Sequence, residues 1–424
     1  MRIYSTGMGR RIRHGIASWG GVAWLAVTAG AAPLDFADPA VLSEKRISVR
    51  GDVQFERVDA EKPAAYLQVR LQGDANLAIE WRQAAVPEEG GDSRPIQGVA
   101  FWFRGDGSDQ WACIEFRGAG SDSRFSYSLY VPLARTEWHE VRAHLLDLIP
   151  TDNPAYPFGS PGMMPAEGIA SVVLGDRWAI GWNNNPLPPQ SFSIARIRLI
   201  SDAEPPPPPP LARPLSEVLK RLRDKQPVTV LCLGDSITAG TGLADRDRSR
   251  YATLLERKLR DRLGYEDIVC VSRAVGGARA NQGRAWVARD LEGLRPDLIT
   301  IAFGYNDKSS LFSPEYFRHS MDDLTRRLAK ATGGLAAICP ITTLPGSSTR
   351  FEMLDDYAQQ IRELCAERSD LTCIDLNRKI HDLGREAWNG MLRDLAHPNE
   401  AGHEWLAHTL ADWVMEQLEA LPPK

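Results

Sequence analysis

Ser236 is the first residue whose type and position could support covalent chemistry. It follows the apolar stretch VLCLG and precedes a turn that contains Gly240. A short apolar run bounded by turn-forming residues is typical of a strand buried on both faces, and such strands end at the crevice where open α/β sheets bind ligands. The local sequence leaves two interpretations of Ser236 open, a nucleophile at that crevice and the N-cap of the next helix.

A second pair of residues near the C-terminus could activate such a serine. Asp394 and His397 are three residues apart in RDLAHPN, directly before an amphipathic stretch. At this spacing a carboxylate can reach the imidazole and fix its tautomer, which leaves the other ring nitrogen free to accept a serine proton. Asp394 alone would be better explained as a helix N-cap. His403 and His408 are predicted to be helix positions, because a metal site needs further ligands at matching spacing.

Two further strand ends carry groups that could stabilise an oxyanion. Asn306 ends the apolar run of IAFGYND, and its side-chain amide can donate to developing negative charge. Gly277, in AVGG, allows close backbone approach and can present its N–H to the same oxygen. The order Ser236, Gly277, Asn306, then Asp394 with His397, predicts one site assembled from dispersed strand ends.

The elements that would position these residues occupy the second half of the chain. Five apolar runs alternate with amphipathic stretches over residues 215–424: VTVLCLG, DIVCVSR, DLITIAFG, LAAICPI and LTCIDL. Five buried strands separated by helices predict a parallel, doubly wound sheet with right-handed crossovers. This class of sheet gathers its strand ends at one edge.

The first half has a different periodicity. Over residues 36–203 short runs such as LQVRLQ and FSYSLYV alternate between apolar and polar residues, and turn formers separate them. This pattern predicts an antiparallel β-sandwich or jelly roll. The segment AEPPPPPPLARP follows, and we interpret residues 204–214 as a stiff polyproline II linker.

The N-terminus is typical of a targeting segment. Residues 1–31 contain an arginine-rich start, an apolar small-residue stretch and an Ala-Gly-Ala sequence. We interpret them as a signal peptide of an exported protein, with an uncleaved membrane anchor as the alternative. No second segment is long enough to cross a bilayer.

Composition restricts the class of protein and its partners. The chain of 424 residues has a formal net charge of -5, with 43% hydrophobic and 25% charged residues. These fractions are typical of a soluble globular protein, and the charge argues against a nucleic-acid partner. Cys232, Cys270 and Cys339 lie in apolar runs and are expected to be buried thiols. Cys365 and Cys373, eight residues apart, leave a disulfide open.

The blocks GDSITAG, AVGG, GYND and DLAHPN resemble the four signature blocks of the SGNH, or GDSL, hydrolase superfamily in that family's order. The resemblance covers residues 226–420. It implies a three-layer α/β/α sandwich with a five-stranded parallel sheet, and no metal or organic cofactor. It also implies site roles: Ser236 as nucleophile, His397 as general base, Asp394 as orienting acid, and an oxyanion hole of Ser236, Gly277 and Asn306. One departure is that the second block begins with Ser272 where the family commonly has Asn.

Export, a β-rich first half and the resemblance together favour a secreted carbohydrate esterase that removes O-acetyl groups from a glycan. The first half loosely resembles carbohydrate-binding or galactose-binding-like modules. Trp178 and Trp182, with Asn183–Asn185, could offer a sugar platform or serve as core anchors. The alternatives are a lipid-directed esterase or lysophospholipase, and a catalytically idle glycan-binding surface protein.

Overall fold

The computed structural model describes residues 33–73, 75–81, 97–118, 126–150, 169–175, 188–204 and 207–422. The predicted signal peptide and the predicted sugar platform at Trp178, Trp182 and Asn183–Asn185 lie outside these ranges. None of the helices in the described part of the chain is both long and apolar enough to span a bilayer.

The first half is built from strands that pair in two sheets. The strands are β1 (Ile47–Arg50), β2 (Val53–Asp59), β3 (Ala65–Leu71), β4 (Asn76–Glu80), β5 (Gly98–Arg104), β6 (Trp111–Gly118), β7 (Ser126–Pro132), β8 (His139–His144), β9 (Ile149–Pro150), β10 (Ile169–Gly175) and β11 (Gln190–Ile200). Their orders are β1-β4-β10-β6-β7-β9 and β2-β3-β11-β5-β8. The pairings described between them are antiparallel, which confirms the predicted strand direction.

The two-residue period of the sequence decides which side chains form the core of this half. In β3, Leu67, Val69 and Leu71 are buried, whereas Gln68 and Arg70 are not. Successive side chains of a strand point to opposite faces, so the apolar set lies on the inner face. Burying each such side chain contributes about 1.5–3 kcal/mol. The shared core includes Leu67 and Phe101 from one sheet and Ile79 and Phe116 from the other, which is the arrangement of a β-sandwich.

The second half contains a parallel sheet and its covering helices. The strands are β12 (Val228–Gly234), β13 (Ile268–Ala274), β14 (Leu298–Ala302) and β15 (Ala337–Pro340), in the order β13-β12-β14-β15. The helices are α1 (Leu215–Arg223), α2 (Ser236–Ala239), α3 (Arg246–Ser249), α4 (Tyr251–Leu263), α5 (Ala280–Asp290), α6 (Tyr305–Ser309), α7 (Pro314–Ala331), α8 (Asp355–Glu367), α9 (Leu376–Leu383), α10 (Arg385–Gly390) and α11 (Glu400–Glu419).

Helices cover both faces of the parallel sheet. Val230 and Cys232 of β12 join an apolar cluster that includes residues of α1, α4 and α11. Leu231 and Leu233 of the same strand face the opposite cluster, which includes residues of α5, α7 and α8. A strand that is buried on both faces explains the continuous apolar run in the sequence. The predicted three-layer α/β/α class is confirmed.

The predicted fifth strand, residues 371–376, does not form a regular strand. Two isolated parallel bridges join it to β15 and the residue that follows β15: Leu371 pairs with Ile338, and Ile374 pairs with Ile341. Thr372 N–H donates to the carbonyl of Ile338, and Ile374 N–H donates to the carbonyl of Pro340. A continuous ladder would need an N–H donor at position 340 between these two bonds, and proline has none. The sheet therefore has four regular strands, and the expected count of five is corrected.

The proline-rich segment ends against the second half. Residues 207–214 contain no regular helix or strand. Ala212 is buried, and its N–H donates to Asp370 Oδ2 at 3.0 Å. Arg213 N–H donates to the carbonyl of Ala336 at 2.9 Å. The end of this segment is thus fixed to the α/β layers.

Direct contacts join the β-sandwich to α7. Arg327 Nη1 and Nη2 donate to the carbonyls of Asp147 and Leu148, each at 3.2 Å. Lys330 Nζ lies 2.8 Å from Asp147 Oδ1. A cavity of about 690 Å³ lies beside these contacts, between the sandwich, the prolines and helices α5 and α7, and neither Ser236 nor His397 lines it.

Candidate active site

Ser236 is the first residue of α2, and the residue before it caps that helix. Asp235 Oδ1 accepts the Ile237 N–H at 2.9 Å, and the four-residue helix ends at Gly240 with φ 72°. The N-cap interpretation of Ser236 is therefore wrong, because Asp235 performs that task. As a first-turn residue, Ser236 has no acceptor for its N–H within the helix. Both its hydroxyl and its N–H are available at the end of β12.

His397 lies between Ser236 and Asp394, although Ser236 is 161 residues away in the sequence. His397 Nε2 is 2.8 Å from Ser236 Oγ, and His397 Nδ1 is 2.9 Å from Asp394 Oδ2. These distances are within hydrogen-bond reach for a nucleophile, a base and an orienting carboxylate. With its proton on Nδ1, the imidazole donates to Asp394 and accepts from the Ser236 hydroxyl at Nε2.

Asp394 lies on the loop before α11 and does not cap that helix. The cap of α11 is Asn399, whose Oδ1 accepts the Gly402 N–H at 3.0 Å. Asp394 Oδ1 instead accepts the N–H groups of Ala396 and His397, at 2.9 and 2.8 Å. Burial raises the pKa of Asp394, but these hydrogen bonds and the His397 imidazole outweigh burial and hold the pKa below its ordinary value of 3.8. Asp394 is therefore ionised at neutral pH and can stabilise an imidazolium.

Gly277 occupies the loop after β13, next to the end of β12. Its φ of 73° is the left-handed conformation that favours glycine. The Val275 N–H donates to the carbonyl of Gly234 at 3.1 Å and fastens this loop beside the nucleophile turn. Within the described residues, neither the Gly277 N–H nor the Ser236 N–H has a hydrogen-bond acceptor. Two of the three predicted oxyanion donors are therefore available to a ligand.

Asn306 lies on α6, close to the nucleophile turn, but its amide is already engaged. Nδ2 donates to Asp235 Oδ2 at 3.2 Å and to the carbonyl of Ala278 at 3.0 Å. An amide nitrogen carries only two hydrogens, so both have acceptors. Asn306 thus links three strand ends, and a bond from it to an oxyanion requires one hydrogen to be shared or released.

Gly304 allows α6 to start directly at the end of β14. Its φ is 125°, and a Cβ there would lie 2.2 Å from Thr343 Oγ1. That hydroxyl donates to the carbonyl of Phe303 at 3.0 Å and holds the neighbouring segment against the strand end. A side chain at Gly304 would displace this contact, so the placement of Asn306 depends on the glycine.

Two carboxylates at the site were not predicted. Asp307 is fully buried and accepts the Ala280 N–H at 3.1 Å, which ties α6 to the start of α5. Asp235 is 2% exposed, and burial raises its pKa to about 6 because a buried carboxylate loses its hydration. Each directly neighbours a predicted residue, so the motifs GDS and YND contained the signal.

The remaining histidines and cysteines occupy structural positions. His403 is buried on α11, where its Nδ1 accepts the Tyr251 N–H at 3.2 Å, and the exposed His408 lies 3.3 Å from Asp412. The six cysteines are free, so Cys365 and Cys373 form no disulfide. The described residues contain no group of three or more His, Cys, Asp or Glu side chains arranged to hold a metal.

Comparison with known proteins agrees with this geometry. Residues 232–405 match the model of the GDSL-like lipase/acylhydrolase family. An arylesterase from Vibrio mimicus is 23% identical over 189 residues, which are 45% of this chain and 89% of the relative. The protein is an ester hydrolase. Its second half contains the segment that matches the GDSL-like lipase/acylhydrolase family model, and this segment includes Ser236, Asp394 and His397.

Solved structures of similar fold include two esterases. A two-domain esterase active on acetylated mannans is 19% identical with a TM-score of 0.40, and the match covers 50% of this chain and 55% of that one. An acetyl xylan esterase is 20% identical with a TM-score of 0.38, over 44% of this chain and 100% of the other. The chain thus matches just over half the length of the two-domain esterase.

Proposed function

We propose that this ester hydrolase is an exported carbohydrate esterase that removes O-acetyl groups from a polysaccharide or other glycan through a Ser236–His397–Asp394 mechanism. One observation carries the mechanism: His397 is within hydrogen-bond distance of Ser236 Oγ on one side and of Asp394 on the other. This is the arrangement that activates a serine hydroxyl for attack on a carbonyl carbon.

The reaction runs in two acyl-transfer steps. Ser236 Oγ attacks the acetyl carbonyl while its proton passes to His397 Nε2, and the same proton then leaves with the sugar hydroxyl. The acetyl group is now bonded to Ser236 Oγ. A water molecule, deprotonated by His397, attacks this ester and releases acetate, which restores Ser236.

The tetrahedral intermediates carry negative charge on the former carbonyl oxygen. The Ser236 N–H and Gly277 N–H would donate to it, because they lie at neighbouring strand ends without other acceptors in the described part of the chain. Asn306 would share an amide hydrogen now held by Asp235 or Ala278. Removing one such donor from a serine hydrolase costs about 10²–10³ in turnover.

The first half of the chain supports the choice of a glycan and of export. A β-sandwich with its own core is attached to the esterase layers through Arg327 and Lys330 on α7. An attached second module suits a polymeric substrate, which extends beyond a single ester site. The arginine-rich and apolar residues 1–31 support export.

Two exposed leucines favour a second candidate, a lipid-directed esterase. Leu395 lies between Asp394 and His397 and is 49% exposed, and Leu311, just beyond α6, is 83% exposed. Exposed apolar side chains on the loop that carries His397 and just beyond α6 would bind a long acyl chain better than an acetyl group.

Acyl-chain preference separates the two candidates. We expect kcat/KM for 4-nitrophenyl acetate to exceed that for the octanoate by at least about tenfold, since the glycan proposal requires an acetyl-sized site, and acetate to be released from acetylated xylan or mannan. The Ser236→Ala protein serves as the blank. An octanoate preference without acetate release would replace the carbohydrate proposal by the lipid one, and no hydrolysis of either aryl ester would exclude both.

A further inference from the structure

Arg350 differs from most arginines of the second half in having no carboxylate partner. Arginines such as Arg284, Arg327 and Arg368 lie within 4.0 Å of an aspartate or glutamate. No carboxylate in the part of the chain that the structure describes lies within that distance of Arg350. In a protein with a net charge of -5, a half-buried cation without a counter-ion is the exception. Its partner is therefore sought outside the chain.

The Arg350 side chain is held at the wall of the active site. Its Nη1 donates to Tyr305 Oη at 2.7 Å. The Tyr305 hydroxyl in turn donates to the carbonyl of Leu395 at 3.5 Å. Tyr305 directly precedes Asn306, and Leu395 lies between Asp394 and His397. The guanidinium thus lies beside the loop that carries the base.

Among the residues that the structure describes, most N–H donors of the Arg350 guanidinium have no acceptor. A guanidinium has five N–H donors in one plane, and the bond to Tyr305 uses one of them. The backbone of Arg350 is fixed by a bond from its N–H to the carbonyl of Ser347 at 2.7 Å. A fixed planar fork of donors matches a carboxylate, which can accept two parallel hydrogen bonds.

A second cation, Arg393, lies on the catalytic loop, which carries Asp394 and His397. The Arg393 N–H donates to the carbonyl of His397 at 2.9 Å. Its guanidinium covers Gly242, where an added Cβ would lie 1.3 Å from Nη1, and Gly242 follows the nucleophile helix. Arg393 also has no carboxylate within ion-pair distance among the described residues. The Arg393 guanidinium therefore lies next to the end of α2, and the Arg350 guanidinium contacts Tyr305 on α6.

We infer that Arg350, assisted by Arg393, forms an anion subsite beside Ser236 that binds a carboxylate of the substrate, so that the preferred glycan contains uronic acids. The inference rests on the proposed carbohydrate esterase activity, since it names the substrate class of that site. A cation held beside the loop that carries His397 would bind the carboxylate of the acetylated sugar or of its neighbour in the chain. The alternative role of Arg350 is to support the catalytic loop through Tyr305.

The full-length protein and its Arg350→Gln variant test the subsite by inhibition. Trigalacturonate should compete with 4-nitrophenyl acetate in the wild type, while neutral mannotriose should not. We expect Arg350→Gln to weaken inhibition by trigalacturonate about tenfold, as loss of a charge-assisted hydrogen bond does, with kcat for the aryl ester within about twofold. Arg378→Gln on α9 is the matched control, because it removes the same charge at an exposed position.

Kinetics of deacetylation test whether the subsite acts on the polymeric substrate. For acetylated homogalacturonan, Arg350→Gln should raise KM about tenfold with little change in kcat, and for acetylated mannan it should change neither. An equal loss on aryl ester, mannan and homogalacturonan would assign Arg350 to loop positioning and overturn the inference, as would trigalacturonate inhibition that Arg350→Gln leaves unchanged. A third outcome is that Arg350→Gln weakens trigalacturonate inhibition as expected, but the wild type deacetylates no glycan. This outcome would support the anion subsite and contradict only the proposed carbohydrate esterase function.

Discussion

The β-sandwich and the α/β half both build their cores from apolar strands, but the paired strands differ in direction. In the sandwich the paired strands are antiparallel, so consecutive strand ends alternate between opposite edges. In the α/β half β12, β13 and β14 are parallel, so their carboxyl ends share one edge. Ser236, Gly277 and Asn306 each follow one of these ends.

This difference shows that strand direction, rather than burial, determines where dispersed residues can meet. The catalytic loop with Asp394 and His397 needs only to reach one edge of the sheet to contact the serine. The sandwich contributes through its contacts with α7. The large cavity between the halves lies away from Ser236, so the chemistry and the junction occupy separate places.

The largest loss of activity is expected from replacing the serine at the shared sheet edge. We expect Ser236→Ala to lower kcat for 4-nitrophenyl acetate by about 10⁴-fold or more, since the nucleophile is lost. The free energy of unfolding should change by less than about 1 kcal/mol, because the side chain caps no helix. Ser108→Ala, at a half-buried serine of the sandwich, is the control and should leave kcat unchanged. Retention of more than about 1% activity in Ser236→Ala would place the chemistry elsewhere.

Replacement of Asn306 tests whether the amide at the shared sheet edge contributes to catalysis. Asn306→Ala removes an amide that bonds to Asp235 and to the carbonyl of Ala278, and we expect kcat to fall about 10²–10³-fold. Asn377→Ala is the matched control, since it removes a buried amide of the same half that bonds to Thr343 and Asp355. Both variants should melt at lower temperature, whereas only Asn306→Ala should lose turnover. Equal kcat losses in the two variants would contradict a role at the oxyanion.

The smallest effect on activity is expected from a substitution at the junction between the two halves. Arg327→Ala removes the bonds to the carbonyls of Asp147 and Leu148, and we expect a loss of about 1–3 kcal/mol of unfolding free energy. Calorimetry should show the two halves unfolding in more widely separated steps, with aryl acetate hydrolysis unchanged. Arg326→Ala removes only an exposed pair with Asp322 and should cost less than about 0.5 kcal/mol. A single shared transition in Arg327→Ala would show that other contacts couple the halves.

Much of this architecture was predictable because burial determines the periodicity of apolar residues along each strand. The alternation in LQVRLQ corresponds to the buried and exposed positions of β3. The continuous apolar run before Ser236 corresponds to β12, which is covered on both faces. The order of the polar residues at the strand ends also followed from the sequence, since each directly follows its own apolar run.

The amino-acid sequence is sufficient to predict the two fold classes and the residues that could meet at one sheet edge. How the hydrogen bonds of these residues are shared depends on the packed structure. Asp235, not Ser236, caps α2, both Asn306 amide hydrogens have protein acceptors, and Pro340 interrupts the fifth strand. Local periodicity reports burial alone, whereas hydrogen-bond partners depend on contacts between residues far apart in the chain, which exist only after the layers have packed.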